Sequence, residues 1–244
     1  MSLKEKVRQW LSLLIRHRFQ FQLQLQAEIR ELRNSLKAVV PGNPAVHGFK
    51  VYSQFDEDGI IEEIFRRIGD GRTFVEIGCG NGLENNTHYL LLKGWRGTWV
   101  DGSERNISAI RRHLPANERL KVVHQLVNRE NVRDLLPREL DLLSLDIDGN
   151  DLEVLTSIMT VSSPKVICVE YNGKFPPPIA ISIRYNLSHT WAHDDYHGAS
   201  LQAFVNLLTG YKLVACGLSG ANAFFGRTST LEKHTCCRQG NSSC

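Results

Sequence analysis

Between residues 73 and 171 the chain alternates short apolar runs with amphipathic segments of helical period. The apolar runs are nearly continuous, which is typical of strands that are buried on both faces of a parallel sheet. Each connecting segment is long enough for a helical crossover. The pattern predicts strands at 73–77, 97–101, 120–124, 140–146 and 165–171, and helices at 106–114, 130–136 and 152–159.

The alternation changes after a predicted helix at 201–208. Two apolar runs, 211–218 and 221–227, are separated only by Ser219 and Gly220. A connection this short requires an antiparallel hairpin. We therefore predict an α/β fold with a doubly wound, Rossmann-like sheet that is mostly parallel and ends in an antiparallel C-terminal hairpin.

The first 38 residues contain no glycine or proline and predict one long N-terminal helix. Leu25, Ile29, Leu32 and Leu36 follow a heptad-like spacing, which predicts a seam for a homo-oligomer. Basic residues around the apolar run 10–15 also suit peripheral contact with an anionic membrane surface. A Pro- and Gly-containing break at 41–44 then divides the chain into a helical arm (1–40), a main domain (45–232) and a flexible tail (233–244).

Composition indicates a globular protein and argues against a nucleic-acid-binding or membrane-spanning one. A chain of 244 residues with 42% hydrophobic content can bury one substantial core. The net charge of +3 is too small to argue for a nucleic-acid partner. The six cysteines have no framework spacing, and the run 10–15 is too short for a membrane span, so we expect a reducing, cytoplasmic location or the inner face of a membrane.

The segment 76–82 has the spacing E-x-G-x-G-x-G directly after the first predicted strand. Glycines in a tight turn allow a ligand to lie against the main chain, and we expect a helix to open at Leu83 and offer free N–H groups. A glycine turn without a ligand is the structural alternative. The nicotinamide fingerprint would need a third glycine where Leu83 stands. The spacing instead resembles motif I of the class I S-adenosylmethionine (SAM) methyltransferases, with cofactor contacts expected from Glu76, Gly78, Cys79, Gly80 and Asn81.

Ligands of doubly wound sheets bind beyond the carboxyl ends of the strands. Asp101 ends the second predicted strand, 21 residues after Gly80, and Ser103 follows it. This interval suits a carboxylate that accepts hydrogen bonds from ribose hydroxyls, although a solvated turn aspartate is the alternative. Asn128, after the third strand, is a candidate for the adenine edge, but asparagine is also common in turns.

Oxygen-bearing side chains end the fourth and fifth predicted strands: Asp146, Asp148, Glu170 and Asn172. Residues two apart on a strand share a face, so these groups converge if the two strands are neighbours. Uncompensated like charges repel, and a hard divalent cation such as Mg²⁺ would resolve the conflict. Capping of the following helices is the alternative reading.

A long connection between residue 173 and the helix at 201 contains His189, His193 and His197. Connections of this length are usually lids or binding loops. The four-residue spacing would place the three imidazoles on one face of a helix. A general base for a hydroxyl substrate is favoured over zinc, since no cysteine or fixed spacing supports zinc. Surface histidines without a role are the alternative for each of them.

The chain resembles the FkbM-type family of SAM-dependent O-methyltransferases across about residues 50–230. The matching segments are 52–54 with 57–58, then 75–78, 145–149 and the hairpin that includes 210–212 and 224–225. The resemblance implies a class I methyltransferase sheet, cofactor contact at Gln54 and Asp146, a catalytic role for Asp146 and a sugar, glycan or natural-product acceptor. The family pattern K-I-D-V-E-G has a lysine and a glutamate where Ser144 and Asp148 stand here.

A second reading belongs to a different class of protein. The chain would be a non-catalytic SAM- or nucleotide-binding module that acts in an assembly through its N-terminal helix. Acids retained at three strand ends, Glu76, Asp101 and Asp146, argue against a decayed site.

Overall fold

The computed structural model describes residues 3–69, 71–192 and 194–239, without the side chains of residues 3–19, 22 and 234–239. Its centre is one seven-stranded sheet. The strands are β1 Thr73–Ile77, β2 Arg96–Asp101, β3 Leu120–His124, β4 Leu142–Leu145, β5 Val166–Glu170, β6 Tyr211–Cys216 and β7 Asn222–Arg227.

The spatial order of the strands is β3-β2-β1-β4-β5-β7-β6. All pairs are parallel except β5–β7 and β6–β7, which are antiparallel. The predicted doubly wound α/β sheet with a C-terminal antiparallel hairpin is therefore confirmed. The chain winds outward from β1 to β3 and then returns to pair β4 with β1, so the topological switch point lies between β1 and β4.

Seven α-helices are described, and most lie close to their predicted positions. They are α1 Leu3–Val39, α2 Glu57–Ile68, α3 His88–Leu92, α4 Glu104–His113, α5 Asp151–Ile158, α6 Leu201–Leu207 and α7 Thr228–Gln239. The helix predicted at 130–136 is only a 3₁₀ turn at Val132–Leu135.

The helix predicted to open at Leu83 begins at His88 instead. The intervening residues are held in turns, because the N–H of Asn85 donates to the carbonyl of Tyr52 at 3.1 Å. The side-chain oxygen of Asn85 then accepts from the N–H of His88 at 3.0 Å, which defines the helix start.

Alternating strand residues form two cores, one on each face of the sheet. On one face Phe74, Trp99 and Phe224 pack with residues of α2 and α4. On the other face Val75, Ile167 and residues of α5 and α6 form the second core. Both faces are covered, as the nearly continuous apolar strands predict.

Helix α1 is continuous, including the stretch in which phenylalanine and leucine alternate with glutamine. Ile29 is only 4% exposed, and the guanidinium of Arg33 pairs with the carboxylate of Asp56 at 3.0 Å. Both contacts hold the helix on its own domain. The predicted oligomer seam is therefore wrong at Ile29, which is buried within one chain, whereas Leu32 is 45% exposed.

At the other end of the chain, helix α7 covers most of the range in which the sequence predicts a flexible tail, and residues 240–244 lie outside the described part. Three described cysteines, Cys79, Cys168 and Cys216, are free thiols. Within the described ranges, no helix combines the length and the apolar character needed to span a membrane.

Candidate functional site

A crevice of about 480 Å³ lies at the carboxyl edge of the sheet, beside the switch point between β1 and β4. Its volume is in the range of small-molecule sites. Of the predicted site residues, the crevice is lined by Gly78, Gly80, Asp101, Ser103, Asp146, Asp148 and His189.

The glycine turn after β1 needs its glycines for two different reasons. Gly78 has φ 85°, and a Cβ there would overlap the carbonyl oxygen of Asp146, so only glycine lets the ends of β1 and β4 approach. Gly80 has φ 57° but faces open space. Its main chain is therefore accessible to a ligand in the crevice.

Asp101 connects the end of β2 to this turn. Its Oδ2 accepts from the N–H of Gly80 at 2.9 Å, and its Oδ1 accepts from the N–H of Ser103 at 2.8 Å and from the Nδ2 of Asn106 at 3.0 Å. Asn106 also lines the crevice, although sequence reasoning did not select it. The carboxylate is thus oriented by three donors and is no solvated turn aspartate.

Glu76 lies in the interior and does not line the crevice. Its carboxylate accepts from the N–H of Asn86 at 2.8 Å and from the hydroxyl of Thr87, whose oxygen accepts from the indole N–H of Trp99 at 2.7 Å. Burial raises the pKa of Glu76 to about 7, against the opposing effect of these donors. Glu76 therefore holds residues 86–87, which follow the glycine turn, from the buried interior of the protein. The neighbouring Cys79 is buried, and burial raises the pKa of its thiol.

Three further predicted cofactor residues lie outside the crevice lining. The side-chain oxygen of Asn81 accepts from the N–H of Leu83, and that of Asn128 accepts from the N–H groups of Glu130 and Asn131. Both are turn contacts, so the turn interpretation of Asn128 accounts for its amide oxygen. Gln54 has an exposed side chain, and its carbonyl accepts from Lys50 at 2.8 Å.

An acid in the first turn of α2, Asp58, organises the loop that precedes the helix. The Oδ2 of Asp58 accepts from the N–H groups of Val51, Tyr52 and Ser53 at 2.6, 2.7 and 2.9 Å. The ring of Tyr52 stacks on that of His88, with 3.8 Å between the ring centres, and the Nδ1 of His88 lies 2.7 Å from the carbonyl oxygen of Gly82. Asp58 therefore shapes a loop that supports the glycine turn.

Three acids do converge at the ends of β4 and β5. Asp146, Asp148 and Glu170 each offer one oxygen within 4.8 Å of the others. Burial, followed by the nearby Glu170, raises the pKa of Asp146 well above its ordinary value, and burial raises that of Glu170 to about 7. Asp148 has φ 58°, the one positive φ among described non-glycine residues. The carboxyl groups are therefore held together against their repulsion.

The amide of Asn172, the predicted fourth ligand, contacts the long loop after β5. Its Nδ2 donates to the carbonyl oxygens of Asp195 and His197, and its Oδ1 accepts from the N–H of Lys174. Asn172 stands beyond the end of β5, and its amide anchors the long loop. The alternative reading, a cap on the following helix, does not hold at α5, because its N-cap residue Asn150 makes no side-chain cap hydrogen bond. Asp151 instead accepts from the N–H groups of Ile147 and Gly149, both at 2.9 Å, which precede the helix.

The long loop separates the histidines. His189 lines the crevice, and its ring lies so close to Gly149 that a Cβ there would overlap it. The Nε2 of His189 is buried without a hydrogen-bond partner. His197 instead lines a smaller cavity, with its ring 5.1 Å from that of Trp191. The described part of the loop contains no helix, so a shared helical face is wrong for these two, and His193 lies outside the described residues.

A pair of asparagines fastens this loop over the crevice edge. Asn150 donates from Nδ2 to the carbonyl of Asn186 at 2.8 Å and accepts at Oδ1 from the N–H of Asn186 at 3.1 Å. The guanidinium of Arg129 lies 4.3 Å from the ring centre of Tyr185. These contacts hold His189 beside the acids at the end of β4.

No family model and no curated protein matches the sequence of this chain. Among solved structures, an S-adenosylmethionine-dependent methyltransferase from Mesorhizobium loti is 16% identical, with a TM-score of 0.44, over 68% of this chain and 95% of that one. The N-terminal domain of EvdMO1 with SAH bound is 12% identical, with a TM-score of 0.49, over 81% and 96% of the two chains. The glycopeptide N-methyltransferase MtfA is 16% identical, with a TM-score of 0.43, over 70% and 94%. Function is therefore inferred from the crevice itself.

Proposed function

We propose that the protein is a SAM-dependent O-methyltransferase of the FkbM type that methylates a hydroxyl of a sugar, glycan or natural product. One observation carries the proposal: the carboxylate of Asp101 and the open main chain of Gly80 are hydrogen-bonded at 2.9 Å and together form one wall of the switch-point crevice. A carboxylate and an exposed glycine backbone at this place are suited to a nucleoside. The glycine spacing favours SAM over a dinucleotide.

The crevice residues fit the parts of such a ligand. Asp101 retains unused acceptor capacity for ribose hydroxyls, because its Oδ2 accepts only from Gly80. Leu126 lines the crevice and is 71% exposed, so it offers an apolar surface for an adenine ring. Bound SAM supplies a methyl group on a sulfonium. The protein then has to orient the acceptor hydroxyl and remove its proton.

The acids at the ends of β4 and β5 fit a hard divalent cation. Asp146, Asp148 and Glu170 provide three carboxylate oxygens, the donor type that Mg²⁺ prefers, and a cation would offset their mutual repulsion. Such an ion would bind the acceptor oxygen and lower its pKa. His189 is the favoured general base, since this residue lines the crevice and its buried Nε2 has no hydrogen-bond partner.

Calorimetric titration with SAM and with its demethylated product tests the cofactor assignment. We expect heat of binding with both ligands, followed by methyl transfer to at least one hydroxylated acceptor in a panel of sugars and glycans. Absence of heat with either ligand would contradict the proposal. Binding of SAM without transfer to any acceptor would favour the non-catalytic binding module.

A further inference from the structure

Helix α1 leaves an apolar stripe uncovered beside the face that packs on its own domain. Ile29 and Arg33 make the intrachain contacts, whereas Phe21 and Val39 are 65% and 77% exposed. Leu32 lies on the same side of the helix as Phe21 and Val39, because it is 11 residues from the first and 7 from the second, which is close to three and two helical turns. An exposed apolar stripe of this length is typical of a helix that packs against a partner.

The stripe has the spacing of a coiled-coil seam. The seam positions are 7, 11, 14, 18, 21, 25, 28, 32, 35 and 39, which are separated by alternating steps of four and three residues. All of them are apolar except Arg18, Glu28 and Ser35. For residues 3–19 the helical backbone fixes these positions. A charged residue in a seam destabilises any pairing that leaves it opposite an apolar or like-charged residue. Arg18 and Glu28 therefore determine which partner the stripe can accept.

We propose that α1 pairs with α1 of a second copy in an antiparallel coiled coil centred near residue 23. In this register Arg18 of each copy lies opposite Glu28 of the other, so both charges are compensated. The same register sets Leu14 opposite Leu32 and Phe21 opposite Leu25. Val7 then lies opposite Val39, and the remaining polar position of the seam, Ser35, lies opposite Leu11.

Other arrangements conflict with the two charges. A parallel dimer would set Arg18 against Arg18 and Glu28 against Glu28 in the seam, and like charges there are strongly unfavourable. An antiparallel pair shifted by one heptad would place Arg18 opposite Phe21 or Ser35. The centred antiparallel register alone pairs the two charges with each other.

The positions flanking the seam agree with this register. His17 of one copy lies near Glu31 of the other, and Gln24 lies near Gln24. The flanking position Ile29 is buried by intrachain packing, whereas the seam residues Phe21, Leu32 and Val39 stay exposed. The pairing is independent of the proposed methyl transfer.

Charge reversal in the full-length protein tests the pairing. The variants are Arg18→Glu, Glu28→Arg and the double variant, with Arg30→Glu as the control because Arg30 is exposed on the opposite side of the helix. Light scattering and sedimentation measure the dimer dissociation constant, and thermal unfolding checks that each variant is folded. We expect a wild-type dimer and an increase in its dissociation constant of roughly 100-fold for each single reversal.

The double variant decides the orientation. Restored dimerisation in the double variant, with an unaffected Arg30→Glu control, supports the antiparallel register. Single reversals that leave the dimer unchanged would overturn the antiparallel register. In a parallel pair each reversal only replaces one contact between like charges with another, so the dissociation constant would change little. A monomeric wild-type protein would also overturn it, and binding of that monomer to vesicles of anionic lipid would assign the stripe to a membrane surface.

Discussion

The carboxylate of Asp101 accepts a hydrogen bond from the backbone N–H of Gly80 at 2.9 Å, across 21 residues of sequence. This bond joins the end of β2 to the glycine turn after β1, so it closes one wall of the crevice. The same carboxylate is oriented by Ser103 and Asn106. Asp101 therefore both builds the wall and presents an oxygen to the crevice.

Replacing Asp101 with Asn should reduce SAM affinity as well as stability. The amide keeps one acceptor oxygen but turns an NH₂ toward a donor, which costs about 1–3 kcal/mol at a buried position. Asp141 is a matched control, because its Oδ2 accepts from the N–H groups of Arg72 and Thr73 at the opposite edge of the sheet. We expect Asp141→Asn to lower the unfolding free energy without changing the calorimetric dissociation constant of SAM. Equal losses of affinity in both variants would contradict the assignment.

Gly80→Ala should weaken cofactor binding through the exposed main chain. Gly80 and Gly94 both have a positive φ, 57° and 87°, and both face open space. An alanine at either position adds backbone strain of about 1 kcal/mol. Gly94 lies outside the crevice lining, so we expect similar losses of stability but a loss of SAM affinity only for Gly80→Ala. Titration of both variants with SAM measures the difference, and retained affinity in Gly80→Ala would show that the main chain there does not contact the ligand.

The strands and the hairpin follow from the sequence because each depends on a local pattern of apolar residues. The start of α3 at His88 depends instead on Asn85 and on its contact with Tyr52, which lies far away in sequence. The role of Asp58 could not be predicted for the same reason, since hydrogen bonds from a bent loop to one carboxylate leave no periodic signal.

The candidate site was predictable in part. Residues at strand ends, such as Asp101, Asp146 and Glu170, follow from the rule that ligands bind at the carboxyl edge of a parallel sheet. Asn172 lies beyond the last paired residue of β5, where strand alternation no longer determines direction. The separate positions of His189 and His197 depend on loop contacts, and loop conformation is not encoded in residue spacing.

Glu76 should make the unfolding free energy depend on pH. Its pKa is raised from 4.5 to about 7 in the folded state. The folded protein therefore binds more protons than the unfolded chain between these values, so stability is fully present below pH 4.5 and is lost as the pH rises through about 7. The full loss is roughly 3 kcal/mol.

Glu76→Gln should remove this loss, as measured by urea unfolding at several pH values across the window. Glu63→Gln is the control, because hydrogen bonds from Arg66 and then Arg67 lower the pKa of Glu63 to about 2. Its stabilising effect is lost only as the pH falls below 4.5. If the unfolding free energy of the Glu76→Gln variant depends on pH as steeply as that of the wild type, the buried-acid explanation is contradicted.

His189→Ala should lower the rate of methyl transfer by about 10²–10⁴ if its imidazole removes the acceptor proton. His197→Ala changes the same loop outside the crevice lining, so we expect a small effect on the rate. Single-turnover kinetics with SAM and an acceptor compare the two variants. Similar rates for both would exclude His189 as the base and indicate that the histidines only support the loop.

The acids at the ends of β4 and β5 should make turnover depend on a divalent cation. If Asp146, Asp148 and Glu170 hold the ion that orients the acceptor oxygen, EDTA should abolish turnover while SAM affinity remains largely intact. Added Mg²⁺ should restore the rate. Asp146→Ala should lower activity most, because Asp146 lines the crevice beside the glycine turn, where a Cβ on Gly78 would touch its carbonyl.

Glu170→Gln separates a metal site from a merely structural cluster. The amide keeps an oxygen ligand and removes one negative charge, so the Mg²⁺ concentration needed for half-maximal rate should rise. In a structural cluster the same change relieves repulsion between Glu170 and Asp146, and it should stabilise the fold without any metal dependence. Full activity of the wild-type protein in excess EDTA removes the metal assignment, whatever the variants do, and leaves proton removal to His189 alone.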